Sequence, residues 1–193
     1  MVVAVAVAAC SHPPPAPPCS IACVEDCPDD LTCVTGTCQA DGETCMPPTF
    51  TQTSAGNGFG CGLDSTARLW CWGDNTHGEI LAANDHESLA VQATPDHTWD
   101  AISAGGGHVC GILAGALSCW GRNDRGQVSL AVEDDVAAPL TIAIAGGPST
   151  WTMVAAGFND TCAIGGGRLF CWGGGDTGQL GRASCRERVL RLV

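Results

Sequence analysis

The residues with most chemistry to offer are thiols. Fourteen Cys stand in 193 residues, and no two of them are spaced Cys-x-x-Cys. Reduced cytosolic proteins seldom carry so many thiols without metal-type or redox spacing, so the count points to an oxidising compartment and hence to export. Apart from Cys185 near the C-terminus, the thiols fall into three groups. Cys10 follows Val7, Ala8 and Ala9 at the end of an apolar run that starts at Val2. Small residues before a Cys read as the end of a secretory signal, with Cys10 as the candidate lipid-attachment residue and residues 1–9 as signal remnant. The competing reading of that run is a buried strand. Six more Cys lie between Cys19 and Cys45 at gaps of three, three, five, four and six residues. This stretch has almost no aliphatic core, so cross-links must replace burial. Structural zinc competes, yet six thiols do not divide into four-ligand sites and no His lies among them. Three disulfides are favoured, and fifteen connectivities remain open. The third group, Cys61, Cys71, Cys110, Cys119, Cys162 and Cys171, comes in pairs nine or ten residues apart.

Other chemistries are poorly supplied. There is no Lys, and 8 Arg face 20 Asp and Glu, for a net charge of −12. A Walker lysine, a Schiff base and a polybasic nucleic-acid patch are excluded. Gly105-Gly106-Gly107 lacks the downstream Gly of a dinucleotide fingerprint, and no Gly-x-Ser-x-Gly elbow occurs. Asp85, Glu87, Glu133, Asp134 and Asp135 fall in spacers between expected strands, where solvated loops are favoured over a glycosidase pair. The acids between Glu25 and Glu43 form no calcium loop. No catalytic residue, cofactor or metal site is expected, so binding is favoured over catalysis.

The elements that must position the paired thiols are short strands. Gly is 26 of 193 residues and charged residues are only 15%, a balance that suits strands and tight turns rather than amphipathic helices. Three segments align, starting at Ser54, Ser103 and Ala155. Their first Cys recurs at 61, 110 and 162, and the Trp after the second Cys at 72, 120 and 172. Phe50, Trp99 and Trp151 lead the three units in phase. A period near 50 with several short strands per unit is that of propeller blades. Each unit contains a hairpin whose register follows from its turn. A turn at Ala114-Gly115 sets Cys110 opposite Cys119, one at Gly166-Gly167 sets Cys162 opposite Cys171, and a Ser65-Thr66-Ala67 loop sets Cys61 opposite Cys71. Opposed residues on one face of a hairpin are close enough for a disulfide, while small buried thiols packing between blades is the alternative.

Ile102-Ser103-Ala104-Gly105 with His108, then Cys119-Trp120-Gly121-x-Asn123 and Gly126-Gln127, resemble the regulator of chromosome condensation repeat family. The resemblance covers residues 48 to 181 in three units and implies a β-propeller. The remaining strands of each blade then fall near Leu89 to Thr94 and Pro139 to Ile144. Phe59 and Asp160 stand where His108 stands, so that position carries no shared chemistry, and a His bonding a backbone turn is expected. Trp72, Trp120 and Trp172 are expected to pack between blades. His77, Arg125 and Thr177 share one loop position and differ completely, as befits a variable surface where partners bind.

The expected organisation is therefore all-β, a partial propeller of about three four-stranded blades preceded by a small disulfide-rich segment. Residues 1–9 are the signal remnant, and 10–18 hold the anchor Cys and a stiff spacer with five prolines between Pro13 and Pro18. Residues 19–46 are the Cys-rich segment, 47–181 the three repeats, and 182–193 a suspected non-native tail. Gly181 to Val189 reads like a translated sequencing adapter, and the tail holds half of the Arg. Closed propellers need four to eight blades, so the sequence is read as part of a longer chain, monomeric when complete. The functional expectation is an exported, lipid-anchored module in the outer membrane, periplasm or cell surface of a bacterium. It would bind a protein or surface polymer through its blade loops, without nucleic acid, and meet the membrane only through its anchor. A secreted inhibitor of an extracellular enzyme, or part of a hydrolase whose site lies elsewhere, are the alternatives.

Overall fold

The structure, a computed structural model, describes residues 31–34, 37–40, 49–94, 96–175, 178, 180 and 190–192. The chain divides into two compact units, Met1–Pro47 and Pro48–Val193. In the first, β1 (Leu31–Val34) and β2 (Thr37–Ala40) form an antiparallel hairpin whose backbone register sets Cys33 opposite Cys38. Cys10 and the spacer after it lie outside the described residues.

The second unit consists of three four-stranded antiparallel sheets. The first blade is β3 (Phe50–Ala55), β4 (Phe59–Asp64), β5 (Leu69–Asp74) and β6 (His86–Gln92). The second is β7 (Ala101–Ala104), β8 (His108–Leu113), β9 (Ala116–Gly121) and β10 (Val136–Thr141). The third is β11 (Trp151–Ala156), β12 (Asp160–Gly165), β13 (Arg168–Gly173) and β14 (Leu190–Leu192). Within each sheet the strands lie side by side in chain order. These are three blades of a β-propeller, and among the described residues there is no helix.

The hairpin registers are those the turns dictate, with Cys61 paired to Cys71, Cys110 to Cys119 and Cys162 to Cys171. All three pairs are disulfide-bonded, with Cα atoms 4.0 to 4.1 Å apart. Ala114 and Gly115 both take positive φ, as do Gly166 and Gly167, the two-residue turn that matches the twist of the flanking strands. In the first blade Ala67 alone supplies the left-handed residue that closes the longer loop.

The outer strands begin about three residues earlier than the spacers suggest. Pairing starts at the end of the preceding strand, His86 opposite Asp74 and Val136 opposite Gly121, and that contact fixes where β6 and β10 begin. Glu87, expected in a spacer, therefore lies within β6 opposite Gly73. Pro139 falls in the irregular stretch between Val136 and Leu140, where a residue without an N–H costs no ladder bond.

The core runs between neighbouring blades. Trp99 and Trp120 of the second blade pack against Cys61, Leu63, Leu69 and Cys71 of the first, with their rings 5.5 Å apart. Trp151, Phe170 and Trp172 of the third pack against Cys110, Ile112, Leu117 and Cys119 of the second. Phe50 leads the first blade as Trp99 and Trp151 lead theirs, yet it is 38% exposed against their 3% and 5%. Hydrogen bonds repeat with the same period: Ser54 Oγ accepts from Ala104 N–H and Ser103 Oγ from Ala156 N–H. Ala155 holds that position in the third blade and has no hydroxyl to offer.

The Gly after each Cys-Trp has a steric explanation. Gly121 has φ of +100°, and a Cβ there would meet Gly107 O at 2.7 Å and His108 Cα at 2.8 Å. Gly73 and Gly173 have the same conformation and the same crowding from the adjoining inner turn. At this point the strand bends away into the loops that carry the variable residues.

Candidate binding face

Chain direction gathers the variable residues at one end of the blades. The turns joining the first two strands and the loops leaving the third strand lie at the same end. Hydrogen bonds tie them together, from Asp74 N–H to Gly58 O, Arg122 N–H to Gly107 O and Gly174 N–H to Asn159 O. His77 and Arg125 lie in the loops, whereas the hairpin turns of residues 65–67, 114–115 and 166–167 lie at the opposite end. Thr177 lies outside the described residues.

Each loop is built around a buried Asn. Asn123 is 2% exposed, and its Oδ1 accepts from Val128 N–H and Ser129 N–H at 2.9 Å each. Its Nδ2 donates to Val132 O at 2.6 Å and Ser129 O at 3.1 Å. Asn75 does the same in the first blade, accepting from Ile80 N–H and donating to Ala82 O and Asn84 O. Gly175 holds this position in the third blade and has no amide to fold its loop around.

A second repeated position steadies the variable residue. Gln127 Oε1 accepts from Arg125 N–H at 2.8 Å, and Glu79 Oε2 accepts from His77 N–H at 2.9 Å. Glu79 is 2% exposed, and burial raises its pKa above the ordinary carboxylate value despite the N–H groups that favour its charge. The loops also lock to the following blade: Trp120 Nε1 donates to Glu79 O and Trp172 Nε1 to Val128 O.

The position of His77 departs from that of a freely varying contact residue. Its Nδ1 lies 2.7 Å from Asp135 Oδ2 in the second blade's loop, while Asp135 Oδ1 accepts from Asn123 N–H. Asp135 thus bridges two blades. Acids predominate over the rest of the face, with Asp74, Asp85, Asp124, Glu133 and Asp134 set against Arg122 and Arg125. Burial alone would raise the Asp124 pKa, but hydrogen bonds from Arg122 and Gln127 hold it below the ordinary value. Thr76 likewise holds Asp74 low through side-chain and backbone hydrogen bonds.

His108 bonds a side chain, correcting the expected backbone partner. Thr161 Oγ1 donates to Gln127 O, so its lone pair is what remains for His108 Nε2–H, 2.8 Å away. The ring is buried between the second and third blades, and its Nδ1 has no protein partner. Burial pushes its pKa down to about 4.

Between the second and third loops lies a groove. Its polar half, about 580 Å³, is bounded by Asp124, Arg125 and Glu133 on one side and Gly173 to Gly175 on the other. Ser129 and Leu130 continue it into an apolar slot of about 170 Å³ lined by Ile142, Ile144 and Trp172. The sequence did not reveal the groove, although Gly174-Gly175, where the other units carry Asp74-Asn75 and Arg122-Asn123, was its one visible sign. Among the described residues no group of three or more His, Cys, Asp or Glu is placed to hold a metal ion.

A family model described as "Regulator of chromosome condensation (RCC1) repeat" matches residues 50–79, the first blade as far as its loop Glu. The chain carries regulator of chromosome condensation repeats. It is 29% identical over 156 residues to the probable E3 ubiquitin-protein ligase HERC3 of Homo sapiens, covering 75% of this chain and 15% of that protein. It is 30% identical over 162 residues to the ultraviolet-B receptor UVR8 of Arabidopsis thaliana, covering 74% of this chain and 36% of the receptor. The chain thus spans little more than a third of the longer match and far less of the other. Among solved structures, human WBSCR16 superposes with a TM-score of 0.61 at 19% identity, over 75% of this chain and 39% of that one. Prp20p of Saccharomyces cerevisiae, described with its binding properties to Gsp1p and histones, superposes with a TM-score of 0.59 at 19% identity, over 69% and 34%. The repeats here share that propeller fold.

Proposed function

We propose that this chain is an exported, lipid-anchored propeller module that binds a partner protein or a surface polymer through the loop end of its blades. One observation carries the reading. The first two repeats keep the buried frame of that end, Asn75 with Asn123 and Glu79 with Gln127, while the residue held by the frame changes from His77 to Arg125, and the sequence of the third repeat has Thr177 at that position. A constant frame with variable display is how repeat proteins build contact surfaces. Export is supported by the three blade disulfides and by the small residues before Cys10. The acidic face disfavours nucleic acid as the partner. Binding needs none of the catalytic groups the sequence lacks.

The test uses the full chain with its native leader in a bacterial host. Wild-type protein should take up labelled fatty acid and sediment with membranes, and Cys10→Ala should do neither. The combined variant His77→Ala, Arg125→Ala and Thr177→Ala should keep the anchor and lose the partner. An unlabelled, soluble wild type removes the anchor, and full partner capture by the triple variant removes the loop face.

A further inference from the structure

We infer that Asn57, in the turn joining β3 to β4, is a modification site at which the chain deamidates itself, with water as the only co-reactant. The reaction needs no partner and is independent of what the loop end binds. An asparagine amide is lost when the backbone nitrogen of the next residue attacks its Cγ. That step is helped by a following residue without a side chain, by a nitrogen free of hydrogen bonds and by contact with water. Of the five Asn in the chain, Asn57 alone is followed by Gly. Gly58 holds φ of +89°, which disfavours any larger residue there. Both residues are exposed. Among the described residues the Asn57 side chain has no hydrogen-bond partner, and Gly58 N–H donates to no acceptor. The other four Asn are protected. Asn75 and Asn123 are buried with both amide atoms bonded. Asn84 Nδ2 donates to Glu87 Oε1 at 2.6 Å, Asn159 is half-buried, and an Asp follows each of them.

In the reaction the Gly58 nitrogen gives its proton to hydroxide and bonds to Asn57 Cγ. The Cγ–Nδ2 bond breaks, and the side-chain nitrogen takes a proton from water and leaves as ammonia. Water then opens the five-membered imide at either carbonyl, leaving Asp or isoaspartate, with no oxidant or reductant. The product falls between two ties: Asn57 N–H donates to Gly106 O of the second blade at 3.2 Å, and Gly58 O accepts from Asp74 N–H at 2.9 Å. Isoaspartate adds one methylene to the main chain between them and displaces one against the other. A Cβ on Gly58 would lie 3.8 Å from Asp74 Oδ2, so the new carboxylate forms in a turn that already adjoins one.

The test incubates the oxidised full chain in mildly alkaline buffer beside the same chain reduced and unfolded in guanidinium, with peptide mapping at intervals. A mass gain of about 1 Da should appear at Asn57, with isoaspartate as the larger product. Because nothing in the fold covers the turn, its rate should lie within about fivefold of that in the unfolded chain. Asn84 and Asn159 should react at least about tenfold more slowly than Asn57 in the folded chain. Asn57→Gln, whose longer side chain must close a six-membered ring, should show no gain at that position over the same period. An intact Asn57 in the folded chain after the unfolded chain has reacted, or equal rates at Asn57, Asn84 and Asn159, overturns the site.

Discussion

Asn123→Ala should unfold the display end of the second blade and carry the blade interface with it. The side chain makes four hydrogen bonds, two from Val128 and Ser129 N–H and two to Ser129 and Val132 carbonyls. Val128 is fully buried, so its N–H is left without a partner when the amide goes. An orphaned buried donor costs about 1 to 3 kcal/mol, and each hydrogen bond that water can replace costs about 0.5 to 1 kcal/mol. With partial relaxation of the loop the loss is about 3 kcal/mol. The loss is global because Trp172 Nε1 donates to Val128 O and Val128 packs in the core between the second and third blades. Asn123→Asp keeps the acceptor but turns its second oxygen toward two carbonyls, and should be nearly as damaging at neutral pH. Urea melts of the oxidised full chain, followed by Trp fluorescence, measure both variants. A loss below about 1 kcal/mol, or an Asp variant as stable as wild type, would refute the claim that the amide organises the loop.

Three further outcomes follow from the blade interfaces. His108 has a folded pKa of about 4 against an ordinary 6.5, so the unfolded chain binds its proton first as pH falls. Its stabilising contribution is complete above about pH 6.5 and is lost towards pH 4, a change of about 3 kcal/mol that His108→Phe, the residue at the equivalent position of the first blade, should flatten in urea melts. Glu79 has its pKa raised by burial, so the folded chain binds its proton more tightly and the charge lowers stability as pH rises above about 4.5. Glu79→Gln, the residue at the equivalent position of the second blade, should therefore be more stable than wild type at pH 7.5 and equal to it at pH 4. Cys61, Cys71, Cys110 and Cys119 are fully buried beneath neighbouring strands while Cys162 is partly exposed, so dithiothreitol should open Cys162–Cys171 first, as alkylation and peptide mapping would show.

Much of the scaffold was legible because hairpin register is a local property. Once Ala114-Gly115 and Gly166-Gly167 are recognised as turns, the opposed cysteines follow by counting, and the loop-building Asn123 lies in the same motif as Trp120. Outer strands were less legible. β6 and β10 carry little alternation, and their limits are set by the ends of β5 and β9 rather than by their own residues. His77 reads as a free surface residue because its partner, Asp135, is 58 residues away in the next blade. The partner of His108 is hidden for the same reason, since Thr161 belongs to the third blade. The groove has no motif at all. It arises where Leu130, ordinary in sequence, stands between Gly174 and Gly175, which replace the side chains of the other loops, and the apolar wall of Ile142 and Ile144.

Site-specific photo-crosslinking in the producing cell addresses the central claim, that the blades bind through their loop end. A photoreactive residue is placed either at Arg125 in the loops or at Thr66 in the opposite hairpin turn, both exposed positions, and adducts are resolved by mass. The account predicts a discrete adduct from position 125 and none from position 66. Adducts from position 66 with none from position 125 would contradict it.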